Sequence, residues 1–107
     1  MTTAFEVLAE PKRRQILDLL RDGELPVAGL VARMGMSQPA VSKHLRVLRE
    51  AGFVTPRVDA QRRHYRLNGA PFEEVDDWIA LFRRFWTKTL DDLQTHLDEE
   101  DDDAGNV

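Results

Sequence analysis

The chain has no cysteine among its 107 residues. Disulfides, thiolate metal ligands and cysteine nucleophiles are therefore excluded together. It also lacks any apolar run near the roughly 18 residues of a membrane span, and no charged-then-apolar leader opens it. A cytoplasmic protein without membrane contact is expected. Its length suits one domain with a thin core, for which an oligomer interface is a natural supplement. Histidine is scarce, with three residues, and positive charge is short overall, the formal net charge being -4. That sign is wrong for a nucleic-acid binder until the charge is divided along the chain. Residues 98–107 hold six acids and no base, which leaves 15 basic against 13 acidic residues elsewhere. Between Arg33 and Arg66, eight basic residues are set against only Glu50 and Asp59. When phosphate is the partner, this segregation matters more than the sum.

The pattern reads as five helices and a basic hairpin. Thr2 or Thr3 caps a first helix through Leu8, with Phe5 and Leu8 as apolar contacts. Pro11 suits the first turn of a second helix, whose stripe is Ile16, Leu17, Leu19 and Leu20 and whose end is Asp22-Gly23. Glu24-Leu25-Pro26 is an extended link to a short third helix that carries Val27, Leu30, Val31 and Met34 and stops at Gly35. Ser37 is the clearest cap in the chain, followed by Pro39 within the first turn. In that fourth helix Val41, Leu45 and Leu48 fall within about 60° of arc, while Gln38, Pro39, Ser42, Lys43, Arg46 and Arg49 occupy the other side. Residues 53–58 and 62–67 are two strands around Asp59-Ala60-Gln61, and Arg63, Tyr65 and Leu67 alternate with Arg62, His64 and Arg66. A long helix follows, with Phe72, Val75, Ile79, Phe82, Trp86, Leu90, Leu93 and Leu97 at steps of three and four, nearly a heptad seam. Trp78, Leu81 and Phe85 widen it. Residues 98–107 have nothing to bury and are expected to be a disordered acidic tail after a single domain over residues 1–97.

A helix, a tight link and a capped helix with a basic outer face form a helix-turn-helix. Its second helix must present short polar side chains and cations to fit the major groove. Gln38 and Ser42, near its N-terminal end, are the expected base readers; Lys43, Arg46 and Arg49 suit phosphates. The basic hairpin, with Arg57, Arg62, Arg63, His64 and Arg66, fits a wing along the DNA backbone or in a minor groove. Five of the eight aromatic residues lie on the last helix. The rest of so small a domain cannot cover that face over about 39 Å of helix. A second copy could, and two-fold proteins read paired half-sites. No catalytic arrangement emerges: Ser37, Ser42 and His44 share one helix without converging, and no Gly-rich phosphate loop is present.

These residues closely resemble those of the ArsR (ArsR/SmtB) repressors: Leu25-Pro26-Val27-Ala28-Gly29-Leu30, then Ser37-Gln38-Pro39-Ala40-Val41-Ser42-Lys43-His44-Leu45, then Leu48-Arg49-Glu50-Ala51-Gly52-Phe53-Val54. The likeness continues through Arg62-Arg63-His64-Tyr65-Arg66-Leu67 and spans about residues 3–97. It implies a mainly α winged helix-turn-helix with a two-stranded wing and helix-turn-helix helices at residues 27–34 and 37–51. It further implies dimerisation through the terminal helices, here Phe5, Leu8, Phe72, Val75, Ile79, Phe82, Trp86, Leu90 and Leu93. The implied function is a homodimeric repressor that occludes a promoter, its own included, and binds an inverted-repeat operator of double-stranded DNA. The contact residues are Ser37, Gln38, Pro39, Ser42, Lys43, His44, Arg46, Arg49, Arg62, Arg63 and His64. Metal-sensing relatives carry thiols on the first helix of the motif, where this chain has Pro26 and Ala28. Other relatives bind zinc on the last helix, where this chain has His96 near Asp92, Asp98 and Glu99 but no second histidine. With His44, His64 and His96 on separate elements, neither metal nor cofactor is expected. Alternatives are a regulator responsive to a small organic ligand and a winged-helix module for protein contacts.

Overall fold

The computed structural model describes residues 2–105, with side chains described for residues 2–100. It falls into two compact units, residues 1–75 and 76–107. In the first, α1 (Ala4–Ala9) begins at a capping box: Thr3 Oγ1 accepts the Glu6 N–H at 3.1 Å, and the Glu6 carboxylate accepts the Thr3 N–H. Arg14 donates to the Leu8 carbonyl at 2.7 Å, satisfying an end group of α1 from the next helix. α2 (Pro11–Leu19) starts with Pro11 and closes at Leu20, earlier than the expected Asp22-Gly23. Short turns from Leu20 to Leu17, Arg21 to Asp18 and Gly23 to Leu20 tighten its end before Gly23 reverses the chain at φ +139°.

The two-stranded hairpin forms, and a third strand is added at its base. Leu25–Pro26, expected as a mere link, forms β1; with β2 (Val54–Asp59) and β3 (Arg62–Leu67) it makes a three-stranded antiparallel sheet in the order β1-β3-β2. The hairpin alone leaves one edge of β3 open, and β1 closes it with Leu25 opposite Tyr65 and Pro26 opposite His64. Each outer strand carries a proline, Pro26 and Pro56, which limits further pairing at both edges. The hairpin turns through Ala60-Gln61, with Asp59 opposite Arg62.

Between the strands, α3 (Val27–Met34) ends at Gly35, which takes a left-handed conformation at φ +64°. α4 (Gln38–Glu50) is capped by Ser37 Oγ, which accepts the Ala40 N–H at 3.3 Å. Its end is sealed by Phe53 N–H donating to the Leu48 carbonyl at 2.9 Å across Gly52. These bounds agree with helices at residues 27–34 and 37–51.

Val7, Ile16, Leu20, Leu30, Val41, Leu45, Leu48 and Phe53 are the largest fully buried side chains. α5 (Ala70–Gly105) begins in this unit, and Phe72 meets Phe53 edge-on with centroids 5.0 Å apart. Leu8, Phe72 and Val75, expected at a dimer interface, thus give part of their surface to their own core. In the second unit α5 does not stop at Leu97 but continues to Gly105. Gln94 donates to Asp98 at 2.9 Å and His96 lies 3.1 Å from Glu100, so pairs four residues apart carry the helix into the acidic stretch. Asn106 and Val107, the end of the expected tail, lie outside the described residues. Among the described residues no helix is long and apolar enough to cross a membrane.

Candidate nucleic-acid interface

α4 has two unlike sides because its apolar residues recur at helical spacing. Val41, Leu45 and Leu48 are buried, whereas Gln38, Ser42, Lys43, Arg46 and Arg49 are exposed. The sheet has two sides for the analogous reason, at a period of two. Tyr65 is buried on one face, shared by register with Pro56 and Val54 opposite Leu67, while His64 and Arg57 pair on the other. Packing of α4 and the sheet on one core opens a cleft of about 660 Å³ between the exposed side of α4 and the hairpin tip.

Gln38, Ser42, Arg46 and Arg49 line the cleft from α4, and Gln61, Arg62 and Arg63 from the hairpin. Pro26, Val27, Ala28 and Tyr65 form the remaining wall. Four guanidiniums and no carboxylate border the space, so it is built for an anion. The Arg46 side chain lies 3.1 Å from Glu50, but that pair is exposed and weak enough to yield to a phosphate. The two uncharged amides and the Ser42 hydroxyl supply groups that can read base edges.

Not every expected contact residue joins this cleft. Ser37 spends its acceptor on the helix cap. Pro39 and Lys43 are exposed elsewhere on the helix and His44 is half-buried, none of them bordering the cleft. His64 lies beside Glu24 instead, its Nδ1 3.7 Å from the carboxylate. Arg57, counted with the basic wing, is engaged by Glu24 in a two-pronged contact, its Nε donating to the carboxylate oxygens at 3.1 and 3.2 Å and its terminal amine adding another bond. That hydrogen bonding holds the Glu24 carboxyl below its usual range and raises the Arg57 guanidinium. Glu24 and the Pro26–Ala28 wall carry no mark in the sequence. A contact across 33 residues has no local signal, and the wall exists only because β1 joins the sheet.

The second unit carries a different surface. Phe82, Trp86, Leu90 and Leu93 are 41–59% exposed, and Trp78 packs on Phe82 with centroids 4.9 Å apart. Phe5, in the first unit, is also exposed. Among the described residues no three His, Asp or Glu side chains gather as a metal set.

Comparison with known proteins agrees with this geometry. Residues 10–55 match the family model described as bacterial regulatory protein, arsR family. The chain is 35% identical to the arsenical resistance operon repressor of Staphylococcus aureus, over 70% of this chain and 72% of that protein. It is 40% identical to the transcriptional activator HlyU of Vibrio cholerae, over 77% and 73% of the two chains. The crystal structure of a possible transcriptional regulator for arsenical resistance superposes with a TM-score of 0.69 at 45% identity, covering 80% of this chain and 86% of that one. These relatives are transcriptional regulators and not enzymes. With its winged helix-turn-helix and this likeness along most of its length, the chain belongs to the ArsR family of DNA-binding transcriptional regulators.

Proposed function

We propose that the chain is a cytoplasmic, homodimeric, sequence-specific repressor that occludes promoters, its own among them, by binding an inverted-repeat operator. The observation that carries this reading is the cleft in which Gln38 and Ser42 of α4 stand opposite Arg62 and Arg63 of the hairpin, with no carboxylate between them. In this reading α4 enters the major groove while the hairpin holds the flanking backbone. The dimer contacts of the second unit are the exposed Phe82, Trp86, Leu90 and Leu93 with the half-buried Ile79; those of the first unit are Phe5 and the remaining surface of Leu8, Phe72 and Val75. A face so apolar is poorly suited to water, and its steps of three and four match a helical partner. The absence of cysteine argues against an effector bound through thiolates.

Repression is chosen over activation because occlusion needs only DNA binding, whereas HlyU, named an activator, is the reason to test the sign. Selection of bound sequences from a random duplex library should yield an inverted repeat with half-site centres about 10 bp apart or a multiple of it. A reporter driven through that sequence should fall when the protein is supplied. A rise would reverse the sign, and the absence of any enriched sequence would refute the reading.

A further inference from the structure

The sheet changes width along β3. β1 pairs only as far as Pro26 opposite His64, so past that point the hairpin continues as two strands through Val58 opposite Arg63 and Asp59 opposite Arg62. The cleft-lining arginines therefore ride on a two-stranded projection, the form of sheet that twists most and holds its shape least. At the point of narrowing stands one carboxylate. Glu24, just before β1 on one edge, reaches over β3 to Arg57 in β2 on the other, beside His64 in the middle strand. Its contact with Arg57 is two-pronged, and its side chain is only 26% exposed, so it is better covered than an ordinary surface pair. Arg66 adds positive charge on the same side, and Asp59 lies 4.0 Å from Arg57.

We propose that Glu24 is a positioning residue for DNA binding, which clamps all three strands at the base of the hairpin and so holds Arg62 and Arg63 at the cleft. The inference rests on the reading of the cleft as the DNA surface. Arg57 then serves as the other jaw of the clamp and not as a phosphate ligand.

The sign of one experiment separates this role from simple electrostatics. Glu24→Gln removes a negative charge and on charge alone should strengthen binding to a polyanion. If the clamp preorganises the wing, the same change weakens binding, by about fivefold if the wing is competent only one-fifth of the time. The probe is a mixed-sequence duplex of about 30 bp, long enough for two half-sites, at fixed salt. Glu24→Asp keeps the charge, loses the reach, and should also weaken binding; it stands in if Glu24→Gln does not fold. Glu24→Arg with Arg57→Glu, which preserves net charge and rebuilds the contact, should restore affinity. In a background of Arg62→Ala and Arg63→Ala, Glu24→Gln should have no further effect, because Glu24 acts through those arginines. Unchanged or tighter binding by the single variants overturns the proposal, as does a loss that persists without the wing arginines. If removing Arg62 and Arg63 leaves wild-type affinity intact, the wing is not a DNA surface, and the DNA-surface reading fails first and the clamp with it.

Discussion

The fourth helix and the second unit's part of α5 are both amphipathic, yet their apolar residues meet opposite fates. Val41, Leu45 and Leu48 on α4 are at most 1% exposed, whereas Phe82, Trp86, Leu90 and Leu93 on α5 are at least 41% exposed. The same spacing of apolar residues therefore states which side of a helix avoids water, and not what covers that side. On α4 the cover comes from the chain itself, and the opposite side is left to a polar ligand. On α5 the proposed cover is a second copy. The first unit should behave as a core, the second as an interface.

Substitutions and one titration test that contrast, in order of expected size. Phe53→Ala removes a fully buried ring and its packing against Phe72, and should destabilise the protein by about 3–5 kcal/mol at every protein concentration. Denaturant melts at two concentrations check this; a dependence on concentration would assign Phe53 to an interface instead. Trp86→Ala should cost about 2–4 kcal/mol, and that loss should be one of dimer stability. Sedimentation equilibrium reads it directly, and a wild type that stays monomeric at micromolar concentration defeats the assignment of α5.

Within the first unit, the two sides of the cleft should divide their work. Gln38→Ala should lower affinity for the selected operator by about 1–3 kcal/mol and affect scrambled DNA far less. Arg63→Ala should instead weaken both and reduce the salt slope by about 1 for each phosphate that it no longer neutralises. Binding isotherms across a salt series distinguish them, and equal losses from Gln38→Ala on both duplexes would reverse the roles. A titration sharpens the clamp. Because Arg57 holds the Glu24 carboxyl below its usual value, the pair contributes stability at neutral pH and ceases to do so as the pH falls through that lowered value. The stability gap between wild type and Glu24→Gln should therefore close on acidification, as thermal melts from pH 7 to about pH 3 can show. A gap that stays constant would mean that the carboxylate's charge is not what the sheet uses. The smallest effect belongs to the hairpin tip. Ala60 adopts φ +55°, a conformation that costs a side-chain-bearing residue about 1 kcal/mol, so Ala60→Gly should raise stability by no more than that. Thermal melts of the two proteins check it, and a marked loss of stability would mean that the alanine methyl packs at the tip.

Much of the helical frame is legible in short-range chemistry. Ser37 before a helical run and Gly35 after one bound α3 and α4 because caps act within a single turn. Gln38, Ser42, Arg46 and Arg49 can be placed on one side of α4, since 100° per residue leaves little freedom once Val41 and Leu45 are buried. The wing is harder. Arg57, Arg62, Arg63, His64 and Arg66 look alike as a run of nitrogen-bearing side chains, but the register sets His64 beside Arg57 on the face opposite Tyr65. There His64 and Arg57 meet Glu24, while Arg62, on that same face but two residues nearer the hairpin tip, lines the cleft together with Arg63. Leu8, Phe72 and Val75 are ambiguous in a similar way: an apolar position at a helix end serves the core or an interface according to what lies beside it.

The sequence by itself determined that the helices exist, the caps at Ser37 and Gly35, the apolar side of α4 and the segregation of positive charge, because these are written in the order of the residues or depend on neighbours within four of them. Tertiary structure alone decided which cations remain available to a ligand. β1 reaches the sheet only when residues 25 and 65 are brought together, and only then does Glu24 meet Arg57 across 33 residues and take it out of the basic surface. Charge is written along the chain, but its pairing is set in space, because Coulomb attraction falls with distance and a two-pronged hydrogen bond forms only where the chain brings the two groups together.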